Sequence, residues 1–190
     1  HLGIAGDIVL SLTDVLLSDR DGFPIPSEAS ATATTLSLTP AVKNVTKNLG
    51  YCTLAEAVAG AAASGDVLQL QADIAIPATV TVDKALTLDL NGKVATYSTT
   101  DNSYALVVDG TAAALTVVDG ITPSTGKILV VDADEDGVTD GRGIGVISGS
   151  LILESGTIQA PYAGVYVRPG TSMVMNGGTI GGTVDPLYGI

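Results

Sequence analysis

The feature that most constrains this sequence is a near-repeat in its last third. The stretch GIGVISGSLILESGTI at 143–158 matches GVYVRPGTSMVMNGGTI at 164–180. The offset is 21 residues at the start and 22 at the end, as these corresponding pairs show: Gly143 with Gly164, Val146 with Val167, Gly149 with Gly170, Ile158 with Ile180. A period of this length with several short strands indicates the coils of a solenoid, in which equivalent apolar residues stack along the axis. The phrase Gly189-Ile190 restarts the same pattern, so we expect Gly143, Gly164 and Gly189 at equivalent corners.

Upstream segments carry the same strand-and-turn pattern. Apolar and polar residues alternate over 79–82, 86–90, 104–108 and 114–118, and Asn-Gly or Asp-Gly pairs follow several of these runs. Alternation of this kind predicts β-strands, and Gly after Asn or Asp predicts turns. Hydrophobic residues make up 46% of the chain but aromatic residues only 4%. The core must therefore consist of small aliphatic side chains, which suit a narrow stacked interior.

A helix is predicted before the first of these strands. Thr53 and Glu56 have the spacing of a capping box, in which the Thr oxygen accepts from the amide of the third helical residue and Glu reaches back to the cap. Ala-rich residues follow, and Gly65 is placed to adopt a positive φ after the helix. The sequence predicts a helix over about 54–63 and a strand from Val67.

The segment YCTLAEAVAGAAASGDVLQLQADIAI resembles the N-terminal cap of secreted bacterial pectate-lyase-like parallel β-helix repeat proteins, and LTLDLNGK is similar to a phrase of their coils. The resemblance implies an all-β fold, a right-handed parallel β-helix with an N-terminal capping α-helix, over residues 45–190. It implies an extracellular or cell-surface location in a bacterium. We expect further coils beyond Ile190.

The first residues form a separate part. Residues 1–26 contain an apolar strand, Ile8 to Leu17, which resembles the closing strand of cohesin and related Ig-like domains, and residues 27–44 read as a linker. A strand alone cannot satisfy its backbone amides. We expect it to add to the β-helix, to pair with another molecule in head-to-tail association, or to be disordered.

Charge and composition exclude several functions. The net charge is −12, which argues against nucleic acid and suits a protein that meets cations. The chain has one cysteine, Cys52, so no internal disulfide forms, and its one histidine, His1, rules out a Ser-His-Asp triad. No apolar run is long enough to insert in a membrane.

The strongest motif for a cofactor is the acidic stretch 132–140, which reads D-x-D-x-D-G-x-x-D. In a Ca²⁺ loop, alternate carboxylates converge on the ion, Gly makes the turn, and a carbonyl and a further acid complete the shell. The predicted ligands are Asp132, Asp134, Asp136, the Val138 carbonyl and Asp140. Gly143 stands where a bidentate acid usually closes such a loop, so we expect weak binding; the alternative is an acidic solvated loop.

No catalytic residues are predicted. Enzymes on this fold would need an Arg or Lys base beside Ca²⁺-binding acids, or carboxylates on adjacent coils, but Arg142 and Arg168 do not align and Asp185 has no counterpart one coil earlier. Asp89 and Asp119 are interpreted as surface charges. Five tyrosines are interpreted mainly as shields for the corners of the coil, with a sugar platform as the alternative: Tyr97, Tyr104, Tyr162, Tyr166, Tyr188.

Three functions remain open. The first is a non-catalytic extracellular structural or adhesion module, with a glycan or a host or cell-surface protein as its partner. The second is a fragment of a polysaccharide lyase or glycoside hydrolase with its catalytic coils elsewhere. The third is a fibre-forming subunit in which the N-terminal strand or capped end of one molecule covers the open coil of the next.

Overall fold

The computed structural model describes residues 39–61, 65–134 and 139–182. Within them it has a single short helix and sixteen strands. Their bounds are β1 Val42–Asn44, β2 Leu49–Tyr51, α1 Leu54–Gly60, β3 Asp66–Leu70, β4 Ile74–Ile76, β5 Val80–Val82, β6 Ala85–Asp89, β7 Val94–Thr99, β8 Tyr104–Val108, β9 Ala114–Val118, β10 Lys127–Asp132, β11 Arg142–Val146, β12 Ser150–Leu153, β13 Thr157–Gln159, β14 Ala163–Val167, β15 Ser172–Met175 and β16 Thr179–Gly181. The predicted N-terminal strand within 1–26 lies outside the described residues.

The strands form three sheets that the chain visits in a fixed rotation. One sheet has seven strands in the order β15-β12-β9-β6-β3-β1-β2, one has five in the order β16-β13-β10-β7-β4, and one has four in the order β14-β11-β8-β5. From β3 onward, each strand pairs in parallel with the strand three places later in the chain. The fold is therefore mostly β, with parallel sheets and one helix.

Aliphatic residues line up in rows across each sheet, and these rows make the core. In the seven-stranded sheet, Leu68 is aligned with Leu88, and Leu88 with Val117, which in turn is aligned with Leu153. All four side chains are buried. Burial of a Leu or Val side chain stabilises a fold by about 1.5–3 kcal/mol, so every added strand contributes to the same stack.

The predicted alignment of the last coils is confirmed at two of its four pairs. Val146 is aligned with Val167, and Ile158 with Ile180. Val146 is fully buried and Val167 packs against the core, as expected. Gly189 lies outside the described residues.

The prediction that Gly143 and Gly164 lie at corners is wrong, because each is the second residue of a strand, β11 and β14. A Cβ on Gly143 would contact the Gly164 carbonyl oxygen, so only Gly lets these backbones approach so closely. The offset changes from 21 to 22 between the pairs Val146–Val167 and Ser150–Ser172, so the extra residue lies within residues 168–171. The Thr171 hydroxyl and amide both donate to the Arg168 carbonyl, at 2.7 and 3.0 Å, and this turn absorbs the insertion.

The predicted capping box is confirmed, and the helix is shorter than predicted. Thr53 Oγ1 accepts from the Glu56 amide and Glu56 Oε2 accepts from the Thr53 amide, both at 3.2 Å. Helix α1 ends at Gly60, with Ala61 as its C-cap, rather than at residue 63. Gly65 adopts the predicted positive φ, 91°.

An antiparallel hairpin of β1 and β2 extends the seven-stranded sheet beyond β3. Strand β1 falls at the end of the segment 27–44 that the sequence predicts as a linker. The sequence of residues 41–50 fits either a short polar strand or a loop, because Lys43 and Asn44 give little apolar alternation, and the pairing of β1 with β2 and β3 shows that it is a strand. Asn44 Nδ2 donates a buried hydrogen bond to Asp66 Oδ2 at 2.8 Å, and this bond ties β1 to β3.

Candidate functional site

The outer surface of the four-stranded sheet, which we name the contact face, carries a row of four aligned residues. The row crosses β5, β8, β11 and β14 through Thr81, Val107, Gly145 and Tyr166. The residues before and after each of them point inward and belong to the core. Gly145 has no side chain to project from this row, whereas the Tyr166 side chain projects into solvent and is 42% exposed.

An arginine lies between two tyrosine rings at one end of this face. The guanidinium carbon of Arg142 is 4.6 Å from the centroid of the Tyr162 ring and 5.3 Å from that of the Tyr104 ring. A cation this close to aromatic rings is stabilised by their quadrupoles. Arg142 Nη1 also donates to the Asn102 carbonyl, which fixes the direction of the side chain.

Gly145 allows this arrangement because it has no side chain. A Cβ at this position would stand 2.8 Å from the Tyr104 ring, so the ring covers the backbone of β11. The Tyr104 and Tyr166 rings are tilted by 46° with centroids 6.2 Å apart, a common geometry for aromatic pairs. Burial raises the pKa of the Tyr104 hydroxyl, a shift that the positive charge of Arg142 opposes.

Charged residues continue the face past the carboxyl ends of the same strands. Asp109, Ile147 and Arg168 donate their backbone amides to the neighbouring strands, each at 3.0 Å, so the ladder extends by one residue. With Asp83, which follows β5, they form a row Asp83, Asp109, Ile147, Arg168 across the sheet. Asp83, Asp109 and Arg168 are exposed. Among the residues that the structure describes, neither Arg142 nor Arg168 has a carboxylate within ion-pair distance.

The tyrosines predicted to shield the corners lie in two different surroundings. Tyr97 is buried, and its hydroxyl shares a hydrogen bond with Ser103. Tyr104 and Tyr162 flank Arg142 and Tyr166 packs against Tyr104, a grouping that the sequence did not indicate because these residues are up to 62 positions apart. Tyr188 lies outside the described residues.

Asp89 and Asp119 are not the surface charges that the sequence predicts; both are buried. Asp119 Oδ2 accepts from the amides of Thr125 and Gly126, at 2.7 and 2.6 Å, and from the Ser124 hydroxyl at 2.7 Å. Burial alone would raise the pKa of Asp119, but these donors and the Gly92 amide outweigh it and the pKa is lowered. The cause of the error is the loop after β9, which folds back over the carboxylate.

A further buried carboxylate, Asp66, lies where the β1–β2 hairpin meets β3, and no sequence motif marks it. Asp66 binds the Asn44 amide and forms an ion pair with Lys47, whose Nζ is 2.9 Å from Asp66 Oδ2. These two partners lower the pKa of Asp66. Its partners come from the β1–β2 hairpin and its turn, so the acid joins the hairpin to the first parallel strand.

The predicted Ca²⁺ ligands are described only in part. Asp132 ends β10, Asp134 is exposed and Asp140 is buried, while Asp136 and Val138 lie outside the described residues. Asp132 Oδ2 accepts from the Asp140 amide at 3.1 Å, and Asp132 Oδ1 is buried without a hydrogen-bond partner, as is Asn102 Oδ1. The described residues alone contain no group of three or more acidic, Cys or His side chains placed to hold a metal ion.

The two arginines considered for catalysis are not aligned with each other, and Glu154 is hydrogen-bonded to a neighbouring side chain. Arg142 is aligned with Ala163 and not with Arg168, in agreement with the sequence. Glu154 Oε1 accepts a hydrogen bond from the side-chain amide of Asn176 at 2.9 Å. Asp185 lies outside the described residues.

Comparisons with known proteins returned no family model, curated protein or solved structure that matches this chain. Across the residues described by the structure, none of the helices is both long and apolar enough to cross a membrane.

Proposed function

We propose that this chain is a non-catalytic structural module of a secreted or surface-exposed bacterial protein, built as a right-handed parallel β-helix capped by α1. The observation that carries the proposal is the rotation of strands through three parallel sheets. A chain that returns to each sheet one strand further along winds a coil. The right-handed sense follows from chain chirality, because about 98% of parallel crossover connections are right-handed. The pectate-lyase-like resemblance belongs to the same proposal.

We further propose that the contact face is the surface with which the module meets its partner. Three tyrosines and two arginines are concentrated on it, and aromatic residues and Arg are the types that dominate protein contacts. The four strands under the face are joined to one another by backbone ladders, so the backbone of the face is already ordered before binding. A rigid face of this kind suits adhesion, with a glycan or a surface protein as the partner.

The absence of catalysis is supported by how the acids are used. Asp66, Asp89 and Asp119 accept hydrogen bonds from the backbone or side chains of neighbouring turns. Such carboxylates are structural, because moving a proton onto them would break the turns they hold. A lyase or hydrolase fragment remains the contrary outcome of the following test.

The test combines cleavage and binding. The chain is incubated with polygalacturonate, xylan, chitin and peptidoglycan, with and without Ca²⁺, and new reducing ends and unsaturated products are measured. We expect none; product formation would contradict the proposal.

Binding to the same polymers and to a second copy of the chain is then compared between Tyr166→Ser and Val131→Ser. Both residues are exposed, at 42% and 38%, but Val131 lies on the five-stranded sheet. We expect binding to be lost only in Tyr166→Ser. If no probe binds, or if binding survives Tyr166→Ser, the contact face is wrongly assigned.

A further inference from the structure

The contact face carries opposite charges at its two sides. In the row Asp83, Asp109, Ile147, Arg168, the acids directly follow β5 and β8 toward the cap, and the arginine directly follows β14 at the far side. At the other end of the strands, Arg142 lies on β11 and is aligned with Tyr104 on β8. The exposed acids of the face therefore lie on its cap side, and both arginines lie on its far side.

A surface with this pattern is complementary to a rotated copy of itself. We propose that two copies of this chain pack their contact faces together around a two-fold axis that runs along the strands between β8 and β11. This inference rests on the proposed contact face and names its partner. The rotation exchanges β5 with β14 and β8 with β11. A two-fold interface of this kind is isologous, because each favourable pair occurs twice.

The rotation brings unlike groups together along the whole face. Arg168 of one copy lies over Asp83 of the other, and its long side chain also reaches the neighbouring Asp109. Arg142 lies over Tyr104 of the partner copy, which adds a cation–π contact to the one it makes in its own chain. The prominent Tyr166 lies over Thr81, a small exposed residue, and Gly145 lies opposite Val107. The larger side chain of each pair therefore faces a smaller residue on the other copy.

The charges involved are available for such a contact. Arg168 and Asp109 make no ion pair among the described residues, and the Asp83 side chain is 63% exposed although it lies 3.3 Å from Lys84 Nζ. The other described cations, five lysines, lie outside the face or at its margin at Lys84. The chain has a net charge of −12, so two arginines on one face form a basic region in an acidic protein. The acidic edge of a second copy is complementary to this basic region.

The size of the face sets the strength of the association. Four strands spaced by about 4.8 Å and five residues of about 3.3 Å give roughly 300 Å² for each copy. Stable dimers bury about 800 Å² on each partner, so this contact is weak and reversible. The net charge of −12 on each copy opposes it. Salt near 0.15 M, where the Debye length is about 8 Å, screens that repulsion while contact pairs persist.

Sedimentation equilibrium of the full chain tests the inference. We expect the weight-average mass to rise from the monomer value of 19.0 kDa toward twice that value. The rise should occur between about 10 μM and about 1 mM, the range of weak association. Arg168→Asp and Asp83→Arg should each weaken the dimer by roughly tenfold or more, since each puts like charges together. The double variant, Arg168→Asp with Asp83→Arg, should restore it because the swapped pair is again complementary.

Lys93→Asp is the matched control, because it changes the net charge as Arg168→Asp does but lies outside the contact face, and it should leave the dimer unchanged. A chain that stays monomeric at the highest concentration overturns the inference. So does a dimer that tolerates both single reversals. If the chain is monomeric but its binding to a polysaccharide is lost in Tyr166→Ser, the proposed contact face stands and its occupant is a glycan. If neither occurs, both proposals fail.

Discussion

Asp89 and Asp119 each hold the turn that follows the other. Asp89 Oδ1 accepts from the Gly120 amide at 2.9 Å, and Asp119 Oδ1 accepts from the Gly92 amide at 2.6 Å. The two acids end or follow β6 and β9, which are neighbours in the seven-stranded sheet. The exchange therefore joins the turns that follow two neighbouring strands, in addition to the ladder between the strands themselves.

Replacing Asp119 by Asn should destabilise the fold. An amide NH₂ in place of an oxygen would face the backbone amides that now donate to Asp119, and a buried donor left without an acceptor costs about 1–3 kcal/mol. Urea unfolding followed by circular dichroism measures the change. Glu154→Gln is the control, because Glu154 is exposed and makes one side-chain hydrogen bond to Asn176. Equal urea midpoints for the two variants would show that the Asp119 contacts contribute nothing.

Stability should fall in acid. The pKa of Asp66, Asp101 and Asp119 is lowered in the folded chain, Asp101 mainly by its hydrogen bonds with Ser103 and Thr99. Below the ordinary aspartate pKa of about 3.9, the unfolded chain takes up protons before the folded chain does. The urea midpoint should therefore be level from pH 7 to about 5 and should fall as the pH drops through about 4. The fall should be shallower in Asp119→Asn; a midpoint as high at pH 3 as at pH 7 would contradict the assignment.

Adding one methyl group at Gly143 should be costly. Its Cβ would meet the backbone carbonyl of Gly164 and the Ile158 side chain, and backbone in a ladder cannot move aside. Overpacking of this kind costs about 1–3 kcal/mol. Gly181→Ala makes the same change in a strand where nothing lies within 4 Å of the added Cβ, and it should be nearly neutral. Thermal unfolding of the two variants decides the point, and a tolerant Gly143→Ala would mean that these coils are further apart than described.

A whole coil should be insertable. Arg142 is aligned with Ala163, so residues 142–162 span one return to the same sheet. A second copy of 142–162 placed before Ala163 should add one strand to each sheet, keep the far-ultraviolet spectrum per residue, and raise or preserve the unfolding temperature. Inserting 142–152 alone should destabilise the chain, because the next strand then arrives at the wrong sheet. Equal stability of the two insertions would argue against the coil.

Ca²⁺ binding through Asp132, Asp134, Asp136, the Val138 carbonyl and Asp140 remains a prediction. The buried and unpartnered Asp132 Oδ1 is an oxygen that a cation would satisfy. We expect calorimetry to show binding in about the millimolar range of extracellular sites, and its loss in Asp132→Asn. No heat of binding at high millimolar Ca²⁺ would show that this loop does not bind the ion.

The strands were predictable because their apolar residues repeat in register, as Val146 and Val167 or Ile158 and Ile180 show. The capping box was predictable because Thr53 and Glu56 interact over three residues of sequence. Arg142 and its tyrosines were not, since strand pairing brings together residues that no local pattern connects. Asp119 was misassigned for a related reason: Asp-Gly reads as an exposed turn, and only the return of the chain at Ser124 to Gly126 buries it.

The strands of each sheet follow one another at about 4.8 Å, whatever the length of chain between them. Ala114 is aligned with Ser150 after 36 residues, and Lys127 with Thr157 after 30, yet in both cases the two strands are direct neighbours in their sheet. The width of each sheet, measured across its strands, is consequently set by the number of strands. A loop between two strands can therefore lengthen without changing the distance between the first and last strands of a sheet.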